Sequence, residues 1–368
     1  MNNIKVAFIK FGGMANGGTE KYLQTIAAYL PKDLFEVDFF YCDAAPYIGS
    51  DFKHINTDQS RVEYCKSNGI NLIKFDVGFK NVTVSTHDWV DTNFWEVFNE
   101  SDYDIIQTGR SGHPEYPFIH INNTPIVDSI HLAGMAENKS NVAATILVSE
   151  QQKNRWISAG GNASKAFVIP VPVEVPEDTM FSTSYRDEFN LDKKFVFGMH
   201  QRNDKNIFSP IPLEAYEEIQ NDNTSFIILG GSENYKKQAK DLQLKNVYFL
   251  DTTSDVNLIH KFLHTLNVYT HGRSDGEQCS SSIIEGLSHS LPVISHTAPS
   301  MGQVEQIGDA GKVVNDYLEY SNVMRSLMVD NKYYEQCSSN AFKRYSEIYN
   351  IDSIIKKFVE LYKGIVNV

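Results

Sequence analysis

Cysteine is scarce in this 368-residue chain, and the four present (Cys42, Cys65, Cys279 and Cys337) show no C-x-x-C spacing. That excludes a disulfide scaffold and leaves free thiols in a reducing compartment as the reading. No run approaches the roughly 18 apolar residues of a membrane-spanning helix. The opening MNNIKVAFIKFGG lacks the apolar stretch and cleavage pattern of a signal peptide. The expected location is cytoplasmic. Basic residues are outnumbered, 33 to 46, and acid exceeds base on both sides of Val171. No broad basic face therefore awaits a nucleic acid, and charge gives no support to peripheral membrane contact. No clustered His, Cys, Asp and Glu show metal-ligand spacing, so neither a metal nor another cofactor is expected.

What is present is alternation. Ile4 to Ile9 reads as a buried strand, followed by Gly12-Gly13 and Gly17-Gly18. A helix then runs from Glu20 to Leu30, with Thr19 as its expected N-cap. Phe35–Tyr41, Asn71–Phe75, Asp104–Thr108, Pro125–Ile130, Thr145–Val148 and Ala166–Ile169 continue the strand series. Pro170-Val171-Pro172-Val173-Glu174-Val175-Pro176 reads as an interdomain linker. Strands then recur at Phe195–Met199, Ser225–Leu229, Val247–Leu250, Asn267–Thr270 and Leu291–Ile294, and the tail from Tyr317 is helical. The fold class is α/β, with two parallel-sheet domains and a cleft between them. Ligands are expected at the carboxyl ends of the strands.

The stretch from Ser274 to His296, SDGEQCSSSIIEGLSHSLPVISH, concentrates the chemistry. Glu277 lies in a loop, three serines (Ser280 to Ser282) open a helix, and Glu285 sits on that helix. Were the helix continuous, the two carboxylates would stand about 12 Å apart at about 1.5 Å per residue. The amides at the helix start form an anion site between them. Acid, anion site and acid suit a sugar, a diphosphate and a ribose in that order. Cys279 lies near the helix start, where thiol pKa values fall, but no base stands beside it. Arg202 and Lys205 follow the strand at Phe195 and suit a diphosphate. Gly230 ends the next strand, where it lines a nucleotide or turns the chain. His131 directly follows the strand at Pro125, with His113, Glu115 and His271 as weaker candidates. The glycine loop at Gly12 to Gly18 lacks the P-loop lysine and the G-x-G-x-x-G spacing. Asp102-Tyr103-Asp104 matches a metal-binding D-x-D but precedes its strand, at the wrong end for a ligand.

Together these residues resemble the retaining glycosyltransferases of family 4. Glu277 and Glu285 look like that family's paired glutamates, Leu291 to Ser295 its "PVIAS" strand, and Arg202 and Lys205 its diphosphate-binding cations. Gly17-Gly18-Thr19-Glu20 is similar to its "GGAE" loop, Ile130-His131 to its "VHD" histidine, and Val148-Ser149-Glu150 to its "VSE". Gln278, Cys279 and Ser280 replace the glycines usual after the first glutamate, and Met199 replaces an arginine. The resemblance implies a GT-B fold: two Rossmann-like domains, 1–172 on the acceptor side and 173–350 on the nucleotide-sugar side, with 351–368 crossing back as a helix. It also implies metal-independent, retaining transfer of a hexosyl or N-acetylhexosaminyl group from a nucleoside-diphosphate sugar to a hydroxyl acceptor in glycan, glycolipid or small-molecule synthesis. Glu277, His131, Arg202 and Lys205 would be catalytic. Glu285, Ser281, Ser282, Cys279 and Gly230 would bind the donor, and Gly17, Gly18, Thr19 and Glu20 would face the acceptor. A sugar-nucleotide epimerase and a catalytically silent partner subunit are the alternatives, with a cofactor-dependent phosphorylase behind them.

Overall fold

The computed structural model of the chain describes residues 3–43, 56–76, 92–110, 120–131, 141–175 and 183–366. The chain divides into two compact units, Met1–Pro172 with Asp352–Val368, and Val173–Ile351. His113 and Glu115 lie outside the described residues.

The N-terminal unit holds β1 (Ile4–Phe11), α1 (Gly18–Tyr29), β2 (Phe35–Cys42), α2 (Gln59–Ser67), β3 (Asn71–Lys74), α3 (Phe94–Val97), β4 (Ile105–Arg110), β5 (Ile126–Ile130), β6 (Val142–Leu147), α4 (Glu150–Ser158) and β7 (Ala166–Val168). Its described strands form one parallel sheet in the order β3-β2-β1-β4-β5-β6-β7. Val6, Ala7, Phe8 and Ile9 are all buried, as are all five residues of β5. Continuous burial of this kind marks a sheet covered on both faces, which is why Val6 to Ile9 reads as an apolar run rather than an alternation.

The C-terminal unit repeats the plan with β8 (Phe195–Gln201), α5 (Ile211–Glu217), β9 (Thr224–Gly230), α6 (Glu233–Asp241), β10 (Val247–Leu250), α7 (Val256–Thr265), β11 (Val268–Thr270), β12 (Gly276–Glu277), α8 (Ser281–Ser288), β13 (Val293–His296), β14 (Ser300–Met301), α9 (Gly302–Ile307), β15 (Gly311–Val314), α10 (Tyr317–Val329) and α11 (Asn331–Arg344). The sheet order is β10-β9-β8-β11-β13-β15. Strand order reverses between β8 and β11, so their carboxyl ends form the crevice where open α/β sheets take ligands. The last helix, α12 (Ile351–Val366), is amphipathic and returns almost entirely to the first unit. There Tyr362 Oη donates to Gln107 Oε1 at 2.7 Å, and Phe358 meets the edge of Tyr22.

Three local expectations are corrected. The cap of α1 is Gly17, not Thr19: Thr19 lies inside the first turn and is buried, and a Cβ on Gly17 would sit 2.1 Å from Glu20 Oε2. Glu277, expected in a loop, lies on the two-residue strand β12, paired in parallel with β14. Within the tail expected to be helical from Tyr317, α-geometry ends at Arg344 and a π-turn, Tyr345–Tyr349, follows.

Candidate active site

The site is built at the carboxyl ends of β8, β9 and β11. Gln201 Nε2 donates to Gly272 O at 2.9 Å, and Gly231 N donates to Gln201 O at 2.7 Å, which ties the three strand ends together. Gly230 has φ +74, and a Cβ there would lie 2.4 Å from Gln201 O, so the strand end is closed by backbone contact. Ser274 Oγ donates to Asn206 O at 3.1 Å and joins the loop after β8 to the loop after β11.

Glu277 is held by its own loop. Gly276, at φ +73, turns the chain into β12, and a Cβ on Gly302 would lie 2.0 Å from Gln278 O. The two glycines let β12 and β14 approach so closely. Glu277 Oε1 meets Arg273 Nη1 at 3.1 Å and accepts from Ser280 Oγ at 3.3 Å. His271 Nε2 stands 3.9 Å from the same oxygen. Arg273 is itself gripped by Asp275, through Nε at 2.9 Å and Nη2 at 2.7 Å. Glu277 Oε2 has no partner among the described residues.

Glu285 shows the same half-satisfied pattern. Its Oε2 lies 2.6 Å from His200 Nε2 at the end of β8, and its Oε1 has no partner among the described residues. Both carboxylates remain partly accessible, 19% for Glu277 and 17% for Glu285, so one oxygen of each stays open to a ligand. Between them in the chain lies the start of α8. Its first intrahelical bond runs from Ile284 N to Ser280 O, and the Ser280 hydroxyl goes to Glu277 and Ser282 instead of capping the helix. The amides of Ser281, Ser282 and Ile283 therefore precede the helical ladder and offer an anion site. The loop leading into them is rigid: Gln306 accepts from Ser280 N at 2.7 Å and donates to Ser280 O at 3.1 Å and to Cys279 Sγ at 3.3 Å.

Arg202 is exposed and pairs with Asp204 at 2.9 Å, while Lys205 is exposed at the start of a 3-10 turn. Of the cations in this unit, Arg273 makes the direct contact with a candidate carboxylate. Sequence reading missed Arg273, His200, Gln303 and Gln306. The available signals were the i, i+4 spacing of Arg273 and Glu277 and the place of His200 at a strand's carboxyl end.

In the N-terminal unit, Glu20 turns inward and pairs with buried Lys10 at 3.6 Å. Gly18 is open, with nothing near the position of an added Cβ. His131 follows β5 and packs edge-on against Tyr22, ring centroids 4.3 Å apart. Its Nε2 is shielded and has no partner among the described residues, though the residue as a whole keeps partial exposure. Burial, reinforced by the Lys10 charge, holds its imidazole down at about 3. The D-x-D lies at the amino end of β4, where Asp104 Oδ2 accepts from Lys5 N and Tyr103 Oη donates to Asp38 Oδ2. Those contacts are structural.

Burial and the neighbouring His260 and His264 likewise hold His289 at about 3. A histidine depressed in the fold is charged in the unfolded chain below about 6.5, so the unfolded state binds more protons as pH falls. Full stability holds above about pH 6.5 and is lost below it, at about 1.4 kcal/mol per pH unit per group. His131 and His289 lie in different units. Each unit should therefore lose about 2 kcal/mol between about pH 6.5 and 5, with His260, His264 and His296 adding to the loss in the second. Melting temperatures recorded across that range test this; a flat profile contradicts it.

No helix among the described residues is long and apolar enough to cross a membrane. No curated protein sequence matches the chain. Solved structures do. A glycosyltransferase from Rickettsia africae superposes with TM-score 0.76 at 15% identity, covering 100% of this chain and 99% of that one. HepE from Anabaena, solved with UDP and glucose, gives 0.71 at 18% identity over 98% and 100%. Sucrose-phosphate synthase from Thermosynechococcus elongatus gives 0.72 at 15% identity over 99% and 100%. The chain thus has the GT-B fold, and residues 185–344, which carry every residue of the C-terminal site, match the family described as glycosyl transferases group 1.

Proposed function

We propose that this protein is a retaining, metal-independent glycosyltransferase that moves a hexosyl or N-acetylhexosaminyl group from a nucleoside-diphosphate sugar to a hydroxyl acceptor. The observation that carries the reading is the pair of part-buried carboxylates, each with one oxygen anchored and one open, on either side of an uncapped helix start. Glu285 Oε1 accepts a ribose hydroxyl as a charge-assisted bond. The amides of Ser281 and Ser282, with Arg202 and Lys205, take the diphosphate and stabilise it as it leaves. Gly230 and Cys279 border the nucleotide, and Glu277 Oε2 orients the donor sugar, its carboxylate kept in place by Arg273. His131, held uncharged, serves the same transfer as a hydrogen-bonding group rather than an acid. The N-terminal unit, with the backbone at Gly17 and Gly18, receives the acceptor, while Glu20 braces that turn from inside through Lys10. The activity is placed in the cytoplasm, for glycan, glycolipid or small-molecule synthesis.

The retaining and metal-free parts rest on the resemblance of the motifs. That the Anabaena protein was solved with UDP and glucose supports a nucleotide-sugar donor. The test is to incubate the protein with a metal chelator, UDP-, GDP- and ADP-sugars and a panel of hydroxyl acceptors, then read the product's anomeric proton. The expected product keeps the donor's anomeric configuration. An inverted product, dependence on added divalent metal, or release of an epimer would each contradict the proposal.

A further inference from the structure

We infer that His200 is a positioning residue for nucleoside recognition, occupying one lone pair of Glu285 Oε2 so that the carboxylate offers the ribose two unequal oxygens. The inference rests on the donor-binding reading of Glu285 and adds a specificity element to it. His200 is the next-to-last residue of β8, at the point where the strand order reverses. Its ring packs edge-on against Phe262 of α7 and Tyr269 of β11, centroids 5.8 and 5.6 Å away, and its side chain is 12% exposed. These neighbours fix the ring plane. Its Nε2 lies 2.6 Å from Glu285 Oε2, whereas Nδ1 is buried and has no partner among the described residues. A hydrogen on Nδ1 would be a buried donor without an acceptor, so the geometry assigns it to Nε2, facing the carboxylate. The helix bearing Glu285 is fixed at its far end as well, where His260 Nδ1 of α7 meets His289 Nε2 at 2.6 Å.

A glutamate on a helix keeps considerable rotamer freedom, and ordering it on binding costs affinity. His200 removes that cost before the ligand arrives. It also changes what the carboxylate reads. With both oxygens open, a carboxylate accepts two vicinal hydroxyls side by side. With Oε2 already accepting from His200 Nε2, Oε1 is the freer acceptor and the two hydroxyls meet unequal oxygens. The ribose hydroxyls should thus contribute unequally: removing one of them should weaken binding at least about tenfold more than removing the other.

The experiment measures the affinity of the tightest of UDP, GDP and ADP, with its 2′-deoxy and 3′-deoxy forms, for the wild type and four variants. His200→Leu keeps an apolar side chain between Phe262 and Tyr269 but cannot donate. It should weaken the ribonucleotide about tenfold, raise KM with little change in kcat, and bring the two deoxy forms to similar affinity. His200→Gln, whose amide reaches the same oxygen, should restore both affinity and inequality. His200→Asn, too short to reach, should behave as leucine does, and it decides the matter if the leucine variant fails to melt cooperatively. Glu285→Ala is the reference. If it abolishes binding while His200→Leu and His200→Asn keep the wild-type affinity and deoxy ratio, the role of His200 is overturned and the donor-site reading stands. If the wild type binds none of the diphosphates, both fall.

Discussion

Replacing Glu277 by glutamine is expected to lower turnover about a hundredfold while leaving nucleoside diphosphate affinity nearly unchanged. The substitution keeps size and shape but removes the charge from Oε1, where Arg273 sits at 3.1 Å. Arg273 stays in place, because Asp275 holds it through two further bonds. The open oxygen Oε2 loses its charge at the same time, and that atom is the one assigned to the donor sugar. Loss of an ionised group that orients the reacting sugar shows in kcat. A group that only braces the loop would show in the melting temperature instead. Steady-state kinetics with the cognate donor, alongside thermal unfolding, separate the two. Unchanged turnover, or an equal loss of diphosphate binding, would remove Glu277 from its role.

Much of the architecture was legible because parallel sheets bury both faces of their strands. VAFI, FIIL and VYFL stand out as apolar runs, and the observed strands Ile4–Phe11, Thr224–Gly230 and Val247–Leu250 contain them. Less legible were elements whose burial is slight. Helix α6 (ENYKKQAKD) buries little beyond Tyr235 and Ala239, and its polar sequence gives no stripe to read. The two-residue strands β12 and β14 exist because Gly276 and Gly302 permit a backbone approach that no local propensity encodes.

The same division runs through the site. Glu277 and Glu285 stood out by type and spacing. Their anchors did not: Arg273 looks like one more loop cation, His200 like the end of a strand, and Gln303 and Gln306 like surface polar residues on α9. Gln303 and Gln306 are in fact buried, accepting from the backbone N–H of Glu277 and of Ser280. The roles of His200, Gln303 and Gln306 depend on contacts between residues 26 or more apart in the chain, which periodicity cannot report. Glu20 failed in the opposite sense. Its motif position suggested a ligand-facing acid, but Lys10 draws it into the interior of its own unit.

Glu285→Ala carries the other large effect. A charge-assisted hydrogen bond to a ribose hydroxyl is worth about 1.5–3 kcal/mol, or about ten- to a hundredfold in affinity. The alanine variant also leaves His200 Nε2 without its 2.6 Å partner, which adds to the disturbance of that wall of the site. The helix itself should persist, since Ile283, Ile284 and Leu287 pack its inner face and alanine favours helix. Calorimetric titration of UDP, GDP and ADP into the wild type and Glu285→Ala, with a metal chelator present, puts the donor site to the test. The account predicts that one of these diphosphates binds the wild type at one per chain without metal, and that the variant binds it at least about tenfold more weakly. Equal binding by both proteins, or no binding by the wild type, would contradict it.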